Sequence, residues 1–460
     1  MRISRAYLKT FLGPRGFYTG ALAVMIPVVI QQLINTLFNV VDTAMVSALH
    51  ENVMAAVTVA NKTAMIYNGC FFGVTGAGGL MLSQYYGAKD HSQCQSIFSL
   101  ELCLGFAFSL AYFAVLRFFP EWLMEIYVKD AGTVSVGASY LRIVSFSYLP
   151  AAVSATCIFS MRALGRNKTP MAISISSLGM NALFNYVLIF GKLGFPAMGV
   201  EGAALGTLLS RTAEMAIYLA VLHRRRAFFS LKLNAVFAIR RGVLKSFFRR
   251  MVPLTANELL WSTGLNVFFW AYARLEEASL PAIAVADQAF MVGFVLSTGV
   301  SSAVSVLIGT ELGAGNLEAA KQKCKQLFSL VCLIALTCCA VGFLSSFLMP
   351  YIITVKAALR PLATRLTMLY SLFFPVSCVY AFCFFCLRAG GDTKNAARLD
   401  SGYMWALPVP LSLVLGLFGA GRVTLITAVL LVQLAMNLKI APALMILKKG
   451  GWLRNITLEG

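Results

Sequence analysis

Apolar runs of about 20 residues, enough for one helical crossing of a bilayer, recur along this 460-residue chain. Short polar segments, often basic, separate them. Strand-period alternation is not sustained anywhere, which argues against a membrane β-barrel. The pattern predicts twelve helices, at 17–49, 53–87, 95–119, 131–162, 169–191, 199–222, 250–275, 281–313, 324–349, 361–389, 396–418 and 423–447. Several exceed the length of one crossing, which implies tilt or protrusion into water. The expected fold class is an all-α polytopic membrane protein.

The second half of the chain repeats the first at a fixed offset of 226 residues. Pro27 meets Pro253, Gly73 meets Gly299, Gly87 meets Gly313, Ala88 meets Ala314, Arg162 meets Arg388, Gly165 meets Gly391 and Lys168 meets Lys394. Six spans per half is an even number, so both halves enter from the same side and form parallel repeats. The expected domains are an N-lobe at 1–222, a basic cytoplasmic linker at 223–249 and a C-lobe with a short tail at 250–460. Paired repeats of this kind suit alternating access around a central site. The glycines of helices 2 and 8 (Gly73, Gly76, Gly78, Gly79, then Gly293, Gly299, Gly309) suit either sliding or static close packing.

Composition supports the membrane reading. The chain is 59% hydrophobic and 12% charged, about half the charge of an ordinary soluble protein. Its net charge of +20 would raise the question of nucleic acid in a soluble chain. Here 26 of the 38 Lys and Arg fall in the segments that are cytoplasmic if both termini are inside. The expected location is therefore the plasma (bacterial inner) membrane, multi-pass, with both termini cytoplasmic and no nucleic-acid partner. The segment 223–250, HRRRAFFSLKLNAVFAIRRGVLKSFFRR, reads as a linker resting on the anionic membrane surface. The 11 cysteines lie mostly within apolar runs, so Cys383 and Cys386 read as packing despite their redox-like spacing. No Cys/His cluster has zinc spacing. The basic N-terminus resembles a signal peptide, but the apolar run after it is too long and is kept as the first helix.

A few polar residues inside the spans carry the candidate chemistry. Asp42 sits in a long apolar stretch, about 12 Å from the outer end of helix 1. An isolated acid there is costly unless it faces a bundle interior or a water-filled cavity, so it reads as a proton or sodium site. A structural pair with a base such as Lys62 is the alternative. Glu258 in helix 7 is the counterpart acid of the second half, and the repeat places Gln32 opposite it. It reads as a second cation site, an anchor for a cationic substrate, or a helix contact. Asn181 and Asn185 share one helix face, as do Ala203 and Thr207. These four could complete a cation site with Asp42 or serve as interhelical glue. Asp287, Arg211 and Glu214 read as snorkelling or local pairs near span ends, with Asp287 also a candidate for the second site. Tyr67 and Trp261 stand among aromatics able to line a cavity for a flat cation. On this reading the deep charges are mainly Asp42 and Glu258. No cofactor and no metal are expected beyond a transported H⁺ or Na⁺.

The chain resembles the multidrug and toxic compound extrusion (MATE) family over essentially its whole length. The resemblance rests on NVVDTAMVSAL, AAVTVA, SQYYGAKD, ALGRNKTP with its partner RAGGDTKNA, GMNALFNYVLIFGKLGFPAMGVEGAALGTLLSR, NELLW and GTELGAGN. It implies twelve helices in two six-helix lobes, and export of organic cations or other amphiphiles against inward Na⁺ or H⁺. It also implies that Asp42 is the family's helix 1 coupling acid, that Asn181 and Thr207 are ligands of its first-lobe sodium site, and that Glu258 is the helix 7 acid. Two departures stand out. Some members carry a carboxylate where this chain has Asn185, which tips the expectation toward H⁺. Some sodium-coupled members carry an acid near Ser377, where this chain reads FFPVSCVYAF.

The expected function is a secondary active antiporter that exports organic cations or amphiphilic small molecules, with a cationic, lipophilic substrate, in exchange for H⁺ or Na⁺ by alternating access, acting as a monomer in the lipid bilayer without an ATP-binding domain. A flippase for a lipid-linked saccharide or amphiphile is the alternative, and it would want a cluster of basic residues in its central cavity. An enzyme is not expected, since HExxH, GxSxG and nucleotide-loop patterns are missing.

Overall fold

The computed structural model describes residues 12–459 except 48, 50, 129, 225–232, 353–355 and 420. The side chains of Lys62 and of several neighbours in 39–66 lie outside that description. Among the described residues the fold is helical, without strands. Twelve long helical stretches make it up: α1 Arg15–Ser47, α2 Glu51–Gly87, α3 His91–Phe118, α4 Ala131–Ala163, α5 Lys168–Phe190, α6 Gly199–Arg224, α7 Arg241–Leu275, α8 Leu280–Leu307, α9 Leu317–Ser345, α10 Arg360–Ala389, α11 Thr393–Phe418 and α12 Leu425–Lys449. Ten of these, all but α2 and α7, are long and apolar enough by length and composition to cross a membrane. Large apolar side chains such as Leu333, Leu336 and Leu344 of α9 are exposed, as a lipid-facing surface requires.

Two helix starts differ most from expectation. The segment before helix 7 was expected to remain linker until residue 250, yet α7 begins at Arg241. The four bases Arg241, Lys245, Arg249 and Arg250 therefore ride on helix, and Glu258 moves to the middle of α7. Helix 9 likewise begins at Leu317, with Asn316 immediately before it, ahead of the expected 324. In both cases the helix extends beyond the apolar run through polar residues of good helix propensity (Lys, Arg, Glu, Gln), which hydropathy does not detect.

The chain forms two compact units, Pro27–Met251 and Val252–Glu459, the latter together with Met1–Ile26. The division thus falls inside α1, at Pro27, whose ring removes a helical hydrogen bond. The N-terminal unit buries Val46, Val57, Leu116, Tyr140, Leu141 and Ile189 in one cluster. The C-terminal unit buries Val300, Leu327, Phe374 and Phe382, with Ala21 and Met25 of α1 packed among them.

The repeat is visible in the turns. After α2 the chain reverses with Lys89 at φ 60°, and after α8 its equivalent Gly315 has φ 80°. The paired hydrogen bonds match: Lys89 N donates to Tyr86 O at 3.0 Å and Gly315 N to Leu312 O at 3.1 Å. Asp90 N donates to Tyr85 O at 3.0 Å, and Asn316 N to Glu311 O at 2.9 Å. The same closure recurs after α4 and α10, where Gly165 and Gly391 have φ 73° and 79°. These are left-handed C-terminal caps of the Schellman type.

Candidate functional site

In the N-terminal unit, α5 and α6 cross closely because α6 carries glycines. A Cβ on Gly202 would stand 2.6 Å from the Leu188 carbonyl oxygen, and one on Gly206 would stand 2.2 Å from Asn185 Oδ1. That approach buries Asn181 and Asn185 completely on one face of α5. Asp42, half-buried on α1, accepts a hydrogen bond from Asn185 Nδ2. The same nitrogen lies 3.4 Å from Asn181 Oδ1, and Asn181 Nδ2 lies 3.4 Å from Ser210 Oγ. Ser210 Oγ donates to Thr207 O at 2.9 Å, and Thr207 Oγ1 donates to the Ala203 carbonyl at 3.0 Å. Asn185 Oδ1 is buried and has no hydrogen-bond partner among the described residues. Asp42, Asn181, Asn185, Ala203 and Thr207 are thus brought together around one carboxyl. Ala203 and Thr207 bond to each other, so their carbonyl and hydroxyl proton are already engaged.

The base near this carboxyl is Arg211. Its guanidinium lies 4.8 Å from the centre of the Phe38 ring and donates to Glu214 Oε2 at 3.0 Å. Glu214 is buried, so Arg211 is held by its own helix, three residues away. Lys62 falls outside the described side chains. Tyr67 packs in an aromatic cluster with Phe71, Phe108, Tyr112 and Tyr148, and its hydroxyl meets Ser109 Oγ at 2.8 Å. Gln32 is half-buried on α1, and its carbonyl accepts from Thr36 Oγ1 at 3.1 Å.

The C-terminal unit holds a denser network. Asp400 lies in a widened turn of α11, Arg398–Gly402, whose i to i+5 winding is rare and often functional. Its Oδ1 accepts from Lys439 Nζ at 2.8 Å and from the Tyr380 hydroxyl at 3.1 Å, and its Oδ2 accepts from Asn257 Nδ2 at 3.1 Å. Lys439 Nζ also sits 3.9 Å from the Tyr380 ring centre. Glu258 is next to Asn257 on α7, within electrostatic range of Arg388 and Asp400. Asp287 accepts from the Tyr370 hydroxyl, which also meets Gln433. Trp261 stacks on Phe294 at 6.5 Å. Ser377, where an acid was in question, donates to Asn437 Oδ1 at 3.0 Å. Cys383 and Cys386 are buried in α10, and Cys386 Sγ touches Cys324 Sγ at 3.9 Å.

The expectation that deep charge is mainly Asp42 and Glu258 is therefore corrected. Glu101, Asp400, Lys439 and Arg388 are buried as well. Each lies within or at the end of an apolar run, but what makes each tolerable is a contact with another helix, which sequence does not display.

Two stretches of the chain, residues 27–187 and 253–414, match the family model MatE. The chain belongs to the MATE family of transporters. The two matches begin 226 residues apart, the same offset as the internal repeat. A probable multidrug resistance protein NorM of Geobacillus kaustophilus is 28% identical over 392 residues, covering 80% of this chain and 81% of that one. An uncharacterized transporter YisQ of Bacillus subtilis is 23% identical over 377 residues, covering 82% of each. Among solved structures, a MATE in the straight conformation aligns with a TM-score of 0.85 at 18% identity, covering 97% of this chain and 98% of that one. An outward-facing multidrug resistance MATE transporter aligns with a TM-score of 0.83 at 18% identity, covering 98% and 99%. This MATE chain is thus a multi-pass membrane transporter, and small molecules are the substrates its family implies.

Proposed function

We propose that this MATE protein is a secondary active antiporter that exports organic cations or amphiphilic small molecules in exchange for H⁺ or Na⁺ by alternating access. The observation that carries this reading is the Asp42 carboxyl of α1, hydrogen-bonded by buried Asn185 and four residues beyond the Arg15–Phe38 stretch that is long and apolar enough to span the membrane. An acid in such a place is costly to keep charged and is retained for ion pathways. Arg211, the described base near Asp42, is ion-paired with Glu214 of its own helix. Asn185 supplies an amide where a second carboxylate would favour Na⁺, so H⁺ is the preferred coupling ion. Binding at Asp42 biases one conformation and substrate the other, which needs only different affinities in the two states. Glu258 is proposed to meet the positive charge of a substrate, with Trp261 of the same unit as an aromatic candidate.

Transport into proteoliposomes, with imposed pH and sodium gradients tried separately, tests this. Efflux of a fluorescent lipophilic cation driven by the pH gradient is the expected result. Movement of a lipid-linked saccharide indifferent to either gradient would replace antiport with the flippase alternative.

A further inference from the structure

Glu101 takes no part in the site above, yet it is among the most deeply buried charged residues of the molecule. It lies on α3 ten residues after His91, about 15 Å along the helix, roughly half the thickness of a bilayer core. Its side chain is fully buried. One oxygen, Oε2, accepts from Ser160 Oγ of α4 at 2.9 Å. The other, Oε1, is buried without a partner among the described residues.

The room for this carboxyl is made by one glycine. A Cβ on Gly78 of α2 would stand 1.8 Å from Oε1, so the acid lies directly on the α2 backbone. At the equivalent places of the other repeat stand Val304 for Gly78, Leu327 for Glu101 and Cys386 for Ser160, all buried in an apolar cluster. One half of the molecule thus fills this three-helix junction with hydrocarbon, while the other empties a Cβ position to admit an acid. One turn further along the same α3/α4 contact, the Thr156 hydroxyl is also buried without a partner and faces the Gly105 position at 3.5 Å.

The groups facing Glu101 from the packed helices are the Cys157 thiol on α4 and, beyond it, Tyr218 and Glu214 on α6, with Arg162 and Arg211 acting on Tyr218. Arg211 is paired with Glu214, and Arg162 donates to Gln31 Oε1 at 2.7 Å. The Tyr218 hydroxyl is itself buried and unpartnered among the described residues. A carboxylate held by one hydroxyl in such surroundings is expensive, whereas a neutral acid is not. A hard metal cation would need several oxygen ligands, and the space at Oε1 is taken by the α2 backbone.

We infer that Glu101 is a second proton-binding carboxyl of the N-terminal unit, distinct from Asp42, which takes a proton at Oε1 and gives it up during the transport cycle. The balance is simple. An O–H bond forms on Oε1 when the proton arrives, Ser160 continues to donate to Oε2, and the bond breaks when the proton leaves. The Ser160 hydroxyl, in contact with the other oxygen, is the group placed to pass it on. The inference rests on the antiport reading for its purpose, but not for its measurement.

The test is infrared spectroscopy of the purified protein in lipid, following the carbonyl band of protonated carboxyls as pH is changed. Wild type should show a pH-dependent component that disappears in Glu101→Gln and persists in Asp42→Asn. The double variant Glu101→Leu with Gly78→Val, which copies the other repeat, should fold and also lack it. A band unchanged by either Glu101 variant would overturn the proposal. So would a Glu101 component that stays protonated across the whole pH range, since that acid would be structural. Failure of gradient-driven efflux in proteoliposomes would count against antiport alone and leave this spectrum unaffected.

Discussion

The two repeats share their turns and differ in their interiors. Where the N-terminal half has Asp42 and Asn185, the C-terminal half has Phe268 and Leu411. Where it has Glu101, Ser109, Thr156 and Tyr148, the other has Leu327, Ala335, Phe382 and Phe374. The reverse holds at a third place. Gln31 Nε2 donates to Ser174 Oγ at 2.8 Å in the first half, and the equivalent Asn257 and Asp400 form the charged network with Lys439 in the second. The same helix pair is thus bridged in both halves, by an amide–hydroxyl bond in one and by an amide–carboxylate bond in the other, whose acid is also ion-paired with Lys439 of α12. A common backbone fixes where polar groups can meet; the sequence of each half decides which meeting points carry charge. Among the described residues, Glu101 Oε1, Thr156 Oγ1, Ser177 Oγ, Asn185 Oδ1 and the Tyr218 hydroxyl, all in Pro27–Met251, are buried without a partner.

The sharpest way to break this contrast is Lys439→Ala. It leaves Asp400 charged and buried, which costs about 3–5 kcal/mol. Thermal unfolding in detergent should show the largest loss of any variant considered. Adding Asp400→Ser, so that Ser174 and Ala213 of the first half are copied, should recover most of it. Next comes Gly78→Val alone, which drives a side chain into the Glu101 carboxyl and should cost about 1–3 kcal/mol. Glu101→Leu should rescue it, as Leu327 fits Val304. A smaller effect is expected at the turns. Lys89 holds the left-handed conformation that Gly315 holds freely, so Lys89→Gly should raise stability by roughly 1 kcal/mol and Gly315→Lys should lower it by a similar amount.

The smallest effect is at Asp130, which caps the start of α4 on the surface where the second half has Lys356. Hydrogen bonds from the Thr133 hydroxyl and backbone N–H hold its carboxyl below the usual carboxylate range. A lowered folded value means that the stabilisation is present above the unfolded value and is lost as pH falls through the folded one. Asp130→Ala should therefore melt below wild type at neutral pH, and the gap should close on acidification.

Much of this was legible beforehand. The twelve spans follow from hydrophobic pattern, because lipid forces backbone groups into helices, and the 226-residue offset with its paired prolines follows from matching residue identities. Asp42 stood out because its neighbours are apolar on both sides. Asp400 and Lys439 did not, since their pairing depends on α11 and α12 meeting, which no local pattern encodes. Glu101 was overlooked for a different reason: its tolerance is owed to Gly78, a residue that reads in sequence as generic close packing. The start of α7 was missed because its first turns are basic and helical at once.

The central claim is that coupling resides at Asp42. Its most direct test is efflux of a lipophilic cation from proteoliposomes under an imposed pH gradient, comparing wild type with Asp42→Asn at equal protein per vesicle. The account predicts that the variant still binds the cation but that its gradient-driven efflux falls to that of protein-free vesicles. Efflux equal to wild type would contradict it.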